Sequence, residues 1–376
     1  MKQMRIGIIG VGNIGTAHAR TIFDGKEPLL TLAFLCDNDK DRLSELKREF
    51  PNVPLFDAYE DAISSGICDG VIIATPHYFH PVISEVAIKN HLHVLCEKPL
   101  GVYTKGLSKL CDMAEENKVV FSVMLNQRAN KLFIKARELI KSGAIGKIVR
   151  GVWIITNWYR TQEYYESASW RGSWRGEGGG VLMNQAPHNL DIFYWLLGMP
   201  ISVKATVNEG KGHKIEVEDE ASVYFEYGNG ASGVFVASTL DKHGTNRLEI
   251  TGEKGKIVLE RGALVCEYET ESGEISTLTE NDEKYEGHLV IISNFARAVL
   301  YGEELIAPAR DGINQLMMCN GAYLSSWLDE TVLLPLDEGK YLQFLKKKVE
   351  NSTQGQVKHK ENLFLGTYNK RWDTNW

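Results

Sequence analysis

An α/β doubly wound parallel sheet, followed by an α+β part with a large, mainly antiparallel open sheet, is the architecture this sequence predicts. Three observations lead there. The first 125 residues alternate short apolar runs with helical patterns, those runs are continuous Val/Ile/Leu stretches, and after about residue 126 strand-like runs separated by glycine turns take over. Strand–helix alternation builds a parallel sheet with helices on both faces, and unbroken apolar strands fit a sheet covered on both sides. At 376 residues the chain exceeds one ordinary domain. The expected units are 1–125, 126–349 and a tail, 350–376, polar and then aromatic, that reads as an arm docking on a neighbour or as plain disorder.

In order, "RIGIIGVG" reads as strand, "GTAHARTIFDG" as helix, "LLTLAFLCD" as strand and "KDRLSELKREF" as amphipathic helix. "CDGVIIATP" is a buried strand, "HPVISEVAIKN" a helix and "LHVLCEKP" a strand, before "YTKGLSKLCDMAEENK" and "VVFSVMLNQR" complete the series. The segment 130–158 gives a helix closed by Gly143 or Gly146, then a strand. From 201 to 280 the runs "ISVKATV", "ASVYFEY", "ASGVFVAS", "NRLEITG", "GKIVLE" and "ALVCEYE" follow with little helix between them. Gly228-Asn229-Gly230 and the stretch from Gly252 to Gly255 punctuate them as hairpin turns would. "INQLMMCNGAYLSSWL" is a late buried helix. One face of such a sheet needs covering, so association into a dimer or tetramer through it is expected.

Composition narrows the partners. Hydrophobic content of 43% against 24% charged suits a globular enzyme rather than a disordered chain. A net charge of −7 argues against nucleic acid, and no apolar run approaches the roughly 20 residues of a membrane span. Glycines break the apolar N-terminus and no cleavage-type segment follows, so it reads as strand rather than leader. The six cysteines are scattered and read as reduced, buried residues of a cytoplasmic protein. No metal is expected, because His77/His80 and His91/His93 lack further ligands at useful spacing.

Gly10-x-Gly12-x-x-Gly15 follows a strand and opens a helix, the context in which this motif cradles a dinucleotide. Gly10 allows the tight turn, Gly12 the approach of a diphosphate and Gly15 close helix packing, while Asn13 and Ile14 lie at the helix's positive end. Asp37 ends the second strand, where an acid accepts from the adenosine ribose hydroxyls. Only Arg42 stands near enough in sequence to reach round to a 2′-phosphate, so NAD is favoured over NADP. The first unit is thus Rossmann-type.

Together with this turn, "IIATPHYFH" (72–80), "CEKPL" (96–100) and "GGGVLMNQAPHNLD" (178–191) resemble the Gfo/Idh/MocA oxidoreductases over nearly the whole chain. The resemblance implies an NAD-dependent enzyme that moves hydride between nicotinamide and a hydroxyl of a sugar, sugar derivative or inositol. Thr75, Pro76, His80, Glu97 and Lys98 are then expected at the cofactor, with Glu97 facing the ribose or the lysine. Lys98 polarises the substrate oxygen, and Pro99 fixes the backbone behind it. The resemblance makes His188, near its ordinary pKa, the proton acceptor, with Asp191 three residues on to orient it. Asn184 departs from the family, which commonly has aspartate there. It reads either as a hydroxyl-binding amide or as a helix-start residue before Pro187. Trp170, Arg171 and Trp174, with Arg128 and the NWYR segment at 157–160, are candidates for a polyhydroxylated substrate; the alternative is a loop packing two indoles. Two other functions compete: NAD held tightly and used transiently for elimination, hydrolysis or epimerisation, and a non-catalytic dinucleotide sensor.

Overall fold

In the computed structural model, residues 3–281 and 286–353 are described. The first sheet is built by β1 (Met4–Ile9), β2 (Leu30–Cys36), β3 (Leu55–Phe56), β4 (Gly70–Ile73), β5 (His93–Cys96) and β6 (Phe121–Val123). Helices α1 (Asn13–Phe23), α2 (Lys40–Glu49), α3 (Tyr59–Ser64), α4 (Phe79–Lys89) and α5 (Leu107–Glu116) connect them. All pairs are parallel, in the order β3-β2-β1-β4-β5-β6. Ile8, Val71, Ile72, Val94 and Leu95 are fully buried, as strands covered on both sides require. The order reverses between β1 and β4, and a ligand crevice opens beyond the carboxyl ends of the strands at such a switch point.

The second part begins with α6 (Lys131–Lys141), capped by Asn130, whose side chain accepts from the Leu132 amide at 2.8 Å. The helix ends as its glycine signal predicts, with Gly143 in the left-handed region at φ +75°. Then come β7 (Ile148–Ile155), α7 (Gln162–Glu166), a wide π-type turn at Val181–Gln185, and α8 (Pro187–Leu197) with proline in its first turn. The hairpin series is β8 (Ser202–Glu209), β9 (Glu218–Glu226), β10 (Ser232–Ser238), β11 (Asn246–Gly252), β12 (Gly255–Glu260), β13 (Ala263–Glu269) and β14 (Ile275–Asn281). The chain then runs through α9 (Gly287–Tyr301), α10 (Gly312–Leu328), β15 (Val332–Leu333) and α11 (Glu338–Asn351).

These strands form one nine-stranded sheet, β14-β13-β12-β11-β7-β10-β9-β8-β15, antiparallel except where β10 lies parallel to β7. The sequence reading missed β14 and β15. The mostly polar β14 has little beyond Leu278 to bury, and two residues of β15 are too few to show a period. On the inner face, a Cβ at Gly151 would sit 2.3 Å from Leu197 Cδ2, so glycine there lets α8 press onto β7. On the outer face Val152, Ile154, Tyr224, Val234 and Val236 come together from three paired strands, with Ile154 and Tyr224 exposed. Among the described residues no helix is long and apolar enough to cross a membrane. The tail expected from 350 lies outside the described residues from 354 onward.

Candidate active site

The glycine turn after β1 is fixed by space. Gly10 adopts φ +86°, and a Cβ there would meet Ala74 O at 2.6 Å; one at Gly15 would meet Gly10 O at 1.9 Å. With no side chain capping α1, its positive end is presented to a cavity bordered by Gly12, Asn13 and Ile14. At the end of β2, Asp37 is buried and accepts from the Val11 amide at 2.8 Å and the Asp39 amide at 3.1 Å. Burial raises its pKa and these two N–H groups lower it. Asp37 faces a cavity of about 260 Å³ that also borders Gly10, Asn38, Tyr59, Thr75 and Pro76. Each carboxylate oxygen keeps a lone pair for a ribose hydroxyl. Thr75 Oγ1 is buried there without a partner. The constricted turn, the acid and this orphan hydroxyl fit a dinucleotide. Arg42 does not reach round to a 2′-phosphate: it donates to Val11 O at 3.0 Å, Thr16 Oγ1 at 2.6 Å and Glu45 at 3.0 Å, bracing the turn from behind.

A second cavity, about 470 Å³, shares Ala74, Thr75 and Pro76 with the first, so the two make one groove. Glu97 and Lys98 enter it from the end of β5, Asn184 from the Val181–Gln185 turn and His188 from the start of α8. Lys98 Nζ donates to the main-chain oxygen of Asn184 at 2.9 Å, and the Lys98–Pro99 bond is cis. Burial lowers the lysine's pKa, opposed by Glu97 and reinforced by Arg171. Glu97 turns away from the ammonium: it meets His18 Nε2 at 2.8 Å and accepts the Lys98 amide at 3.2 Å. Burial would raise its pKa, but the His18 hydrogen bond and charge hold it down to about 2. His80 also borders the cavity, yet its ring nitrogens lie against Pro99 O at 2.6 Å and Thr75 O at 2.7 Å. It therefore stitches the two turns together rather than offering a nitrogen to a ligand.

His188 follows Pro187 in the first turn of α8, and its Nδ1 is buried with no partner. Its pKa is not ordinary. Burial, and then the Lys98 charge, push it down to about 3, so the ring is neutral and able to accept a proton. Asp191 does not orient it. That carboxylate grips Arg128, at 2.8 Å to Nε and 2.6 Å to Nη2, while Arg128 Nη1 reaches Asp311 at 2.5 Å. Arg128 is thus a buried clamp joining α8 to the start of α10, away from the cavity and not a substrate residue.

The tryptophan loop splits in two. Trp170 and Arg171 border the cavity, with the guanidinium 4.2 Å from the Tyr164 ring centroid and 4.6 Å from that of Trp170. Trp174 instead is core: its carbonyl accepts from Tyr78 Oη at 2.7 Å and its ring packs edge-on against Tyr323 and Trp327. Arg175 bonds the Val349 carbonyl at 3.1 Å.

Asn184 is no helix-start residue, since the N-cap of α8 is Ala186. Its side-chain amide donates to Glu177 Oε1, and Oδ1 is left as its acceptor. The sequence reading passed over Glu177, the one acid among the glycines of "WRGSWRGEGGG". It is almost fully buried, accepts the Gly172 amide at 2.8 Å and lies 3.6 Å from Arg171. Burial raises its pKa and the Arg171 charge opposes this. Glu218 was also missed. Fully buried on β9, it receives the Gly180 and Leu182 amides and the Tyr323 hydroxyl, each at 2.8 Å, and so holds the turn that carries Asn184. Burial lifts its pKa to about 7. Trp158, Arg160, Tyr164, Gln185 and His288 complete the cavity wall.

Two family models match the chain: "Oxidoreductase family, NAD-binding Rossmann fold" over residues 4–125 and "GFO/IDH/MocA C-terminal domain" over residues 133–258. The levoglucosan dehydrogenase of Pseudarthrobacter phenanthrenivorans is 28% identical over 291 residues, 69% of this chain and 74% of its own. The myo-inositol 2-dehydrogenase of Thermotoga maritima is 25% identical over 347 residues, 89% of this chain and 99% of its own. Among solved structures, the WlbA dehydrogenase of Bordetella pertussis, in complex with NADH and UDP-GlcNAcA, superposes with a TM-score of 0.78 at 26% identity, covering 89% of this chain and all (100%) of that one.

Proposed function

The chain belongs to the GFO/IDH/MocA oxidoreductase family, and from that premise we propose that it transfers hydride between NAD and a hydroxyl-bearing carbon of a sugar, sugar derivative or inositol. The carrying observation is that Lys98 and a neutral His188 face one cavity that runs on into the Asp37 cavity. NAD, when bound, supplies the hydride acceptor. Asp37 holds its ribose and the amides around Gly12 its diphosphate. The Lys98 ammonium donates to the substrate oxygen and stabilises the negative charge that grows there as hydride leaves carbon. The neutral imidazole of His188 accepts the hydroxyl proton. Asn184 Oδ1 accepts from a neighbouring hydroxyl, and Trp158 and Trp170 give flat apolar surfaces to the C–H faces of a ring.

The relatives named dehydrogenases of levoglucosan and of myo-inositol support this substrate class. A panel of sugars and cyclitols, followed by NADH absorbance, tests it. At least one should give NADH in large excess over enzyme; formation of no more than one equivalent would mean that the cofactor stays bound and does not turn over. We also infer that the outer face of the nine-stranded sheet pairs with a second copy, supported by the apolar patch from Val152 to Val236. The six buried, unpaired cysteines support a reducing compartment, the cytoplasm.

A further inference from the structure

The cavity carries positive charge that a neutral polyol leaves unanswered. Lys98, Arg160 and Arg171 face it, while the nearby carboxylates are Glu97, already turned to His18, and Glu177, already beside Arg171. Arg160, unlike Arg171, has no acid beside it: among the described residues no carboxylate lies within ion-pairing distance of it. Its Nη1 reaches only the Tyr159 carbonyl, at 3.1 Å, and its Nε is buried with no partner. The guanidinium lies over the Tyr164 ring at 4.8 Å and the Trp158 ring at 5.8 Å.

This arginine is also held in place. Its amide donates to Thr239 O at 3.0 Å, and its carbonyl lies 3.0 Å from His213 Nε2. His213 Nδ1 lies 3.1 Å from Asp219, a fully buried carboxylate that also takes the amides of Lys211, Gly212 and His213 at 3.0, 2.8 and 3.0 Å. A buried acid and two strand ends thus fix the backbone of a residue whose head group has no anion to pair with. The dinucleotide's diphosphate does not account for it, because the glycine turn and α1 of the first sheet already provide for that group. A planar guanidinium pairs best with the oxygens of a carboxylate or phosphate.

We propose that the substrate of this site is an anionic polyol, bearing a carboxylate or a phosphate, and that Arg160 is the residue that recognises the anion. The inference rests on the dehydrogenase reading above. It also bears on the reacting centre: after burial itself, the charges of Arg171 and Arg160 act to deprotonate Lys98. A substrate anion paired with Arg160 removes part of that pressure and keeps the ammonium charged when it is needed.

The test compares a hexose with its hexuronate and its 6-phosphate, and inositol with an inositol monophosphate, by NADH formation and by calorimetric titration of the NADH-loaded protein. Wild type should prefer an anionic compound over its neutral parent in kcat/KM and in Kd; the uronate and phosphate arms tell which anion it is. In Arg160→Met the anionic-to-neutral ratio should fall roughly ten- to a hundredfold, the loss of a charged hydrogen bond, mostly through KM. Arg160→Lys should recover part of it, and with the wild-type preference it decides the matter should the Met variant not fold. A wild-type preference for the neutral parents, or an equal loss for both classes in the variants, overturns the proposal while leaving the dehydrogenase reading intact. NADH from none of the compounds, with NAD bound, overturns that reading and the inference with it.

Discussion

At the residue scale the site is a matter of protonation. Lys98→Met keeps the stem and removes the donor, so NAD binding and fold should persist while turnover falls by about 10²–10³. Equal turnover in mutant and wild type would dismiss the lysine from the chemistry. With His188 held neutral down to about 3, the acid limb of kcat/KM should not lie near 6.5; a limb there that disappears in His188→Asn would contradict the structure. The alkaline limb should fall below the ordinary lysine value of 10.5, because burial lowers the Lys98 pKa. Asn184→Asp restores the family's aspartate but sets it against Glu177, where the amide now donates. Two carboxylates in contact cannot both ionise freely, so one folded-state pKa rises above its unfolded value. That stability is present below the unfolded pKa near 4 and is lost as pH rises, so the variant's Tm deficit should grow from pH 4 to 8. An unchanging deficit would mean that the two side chains part on mutation.

At the element scale, the turn at Val181–Gln185 decides where Asn184 and His188 point, and Glu218 holds that turn. Removing its carboxylate leaves two amides and a hydroxyl unanswered, so Glu218→Ala should cost roughly 3 kcal/mol or more and weaken substrate binding with it. The group's folded pKa of about 7 is raised from the usual 4.5. Its protonated form, able to donate back to Tyr323 Oη, therefore favours the folded state below pH 4.5, and that contribution is lost as pH rises through 7. Glu218→Gln, uncharged throughout, should flatten this part of the stability–pH curve measured by chemical denaturation. A slope identical to wild type would place the titration elsewhere.

At the scale of the whole molecule, the site is assembled from both sheets, Lys98 coming from one and Asn184 and Arg160 from the segments around the other. The open face opposite α8 is where a second copy is expected. Ile154→Asp, at the centre of the patch, should shift the species seen by sedimentation from dimer or tetramer to monomer. A wild-type chain that sediments as a monomer would remove that expectation.

What the sequence by itself determined were features set by local periodicity and local space. The parallel strands show as unbroken apolar runs, the glycine turn as three glycines at fixed spacing, and the α6 stop as Gly143. The hairpin strands announce themselves by alternation, as in Ala221, Val223 and Phe225 buried between exposed neighbours. Only the tertiary structure decided which polar groups meet. Arg128 and Asp191 stand 63 residues apart, and nothing local marks them as partners rather than substrate ligand and histidine orienter. Trp170 and Trp174 share one glycine-rich loop, yet one faces the cavity and the other the core, because the loop's path is set by Tyr78, Tyr323 and Trp327. Glu177 and Glu218 look like ordinary surface acids in sequence, and only burial against distant donors makes them parts of the site. Such burial also moves His188 from its ordinary pKa to about 3. Period and turn geometry act between neighbours in the chain, whereas desolvation and charge pairing depend on what the fold brings close.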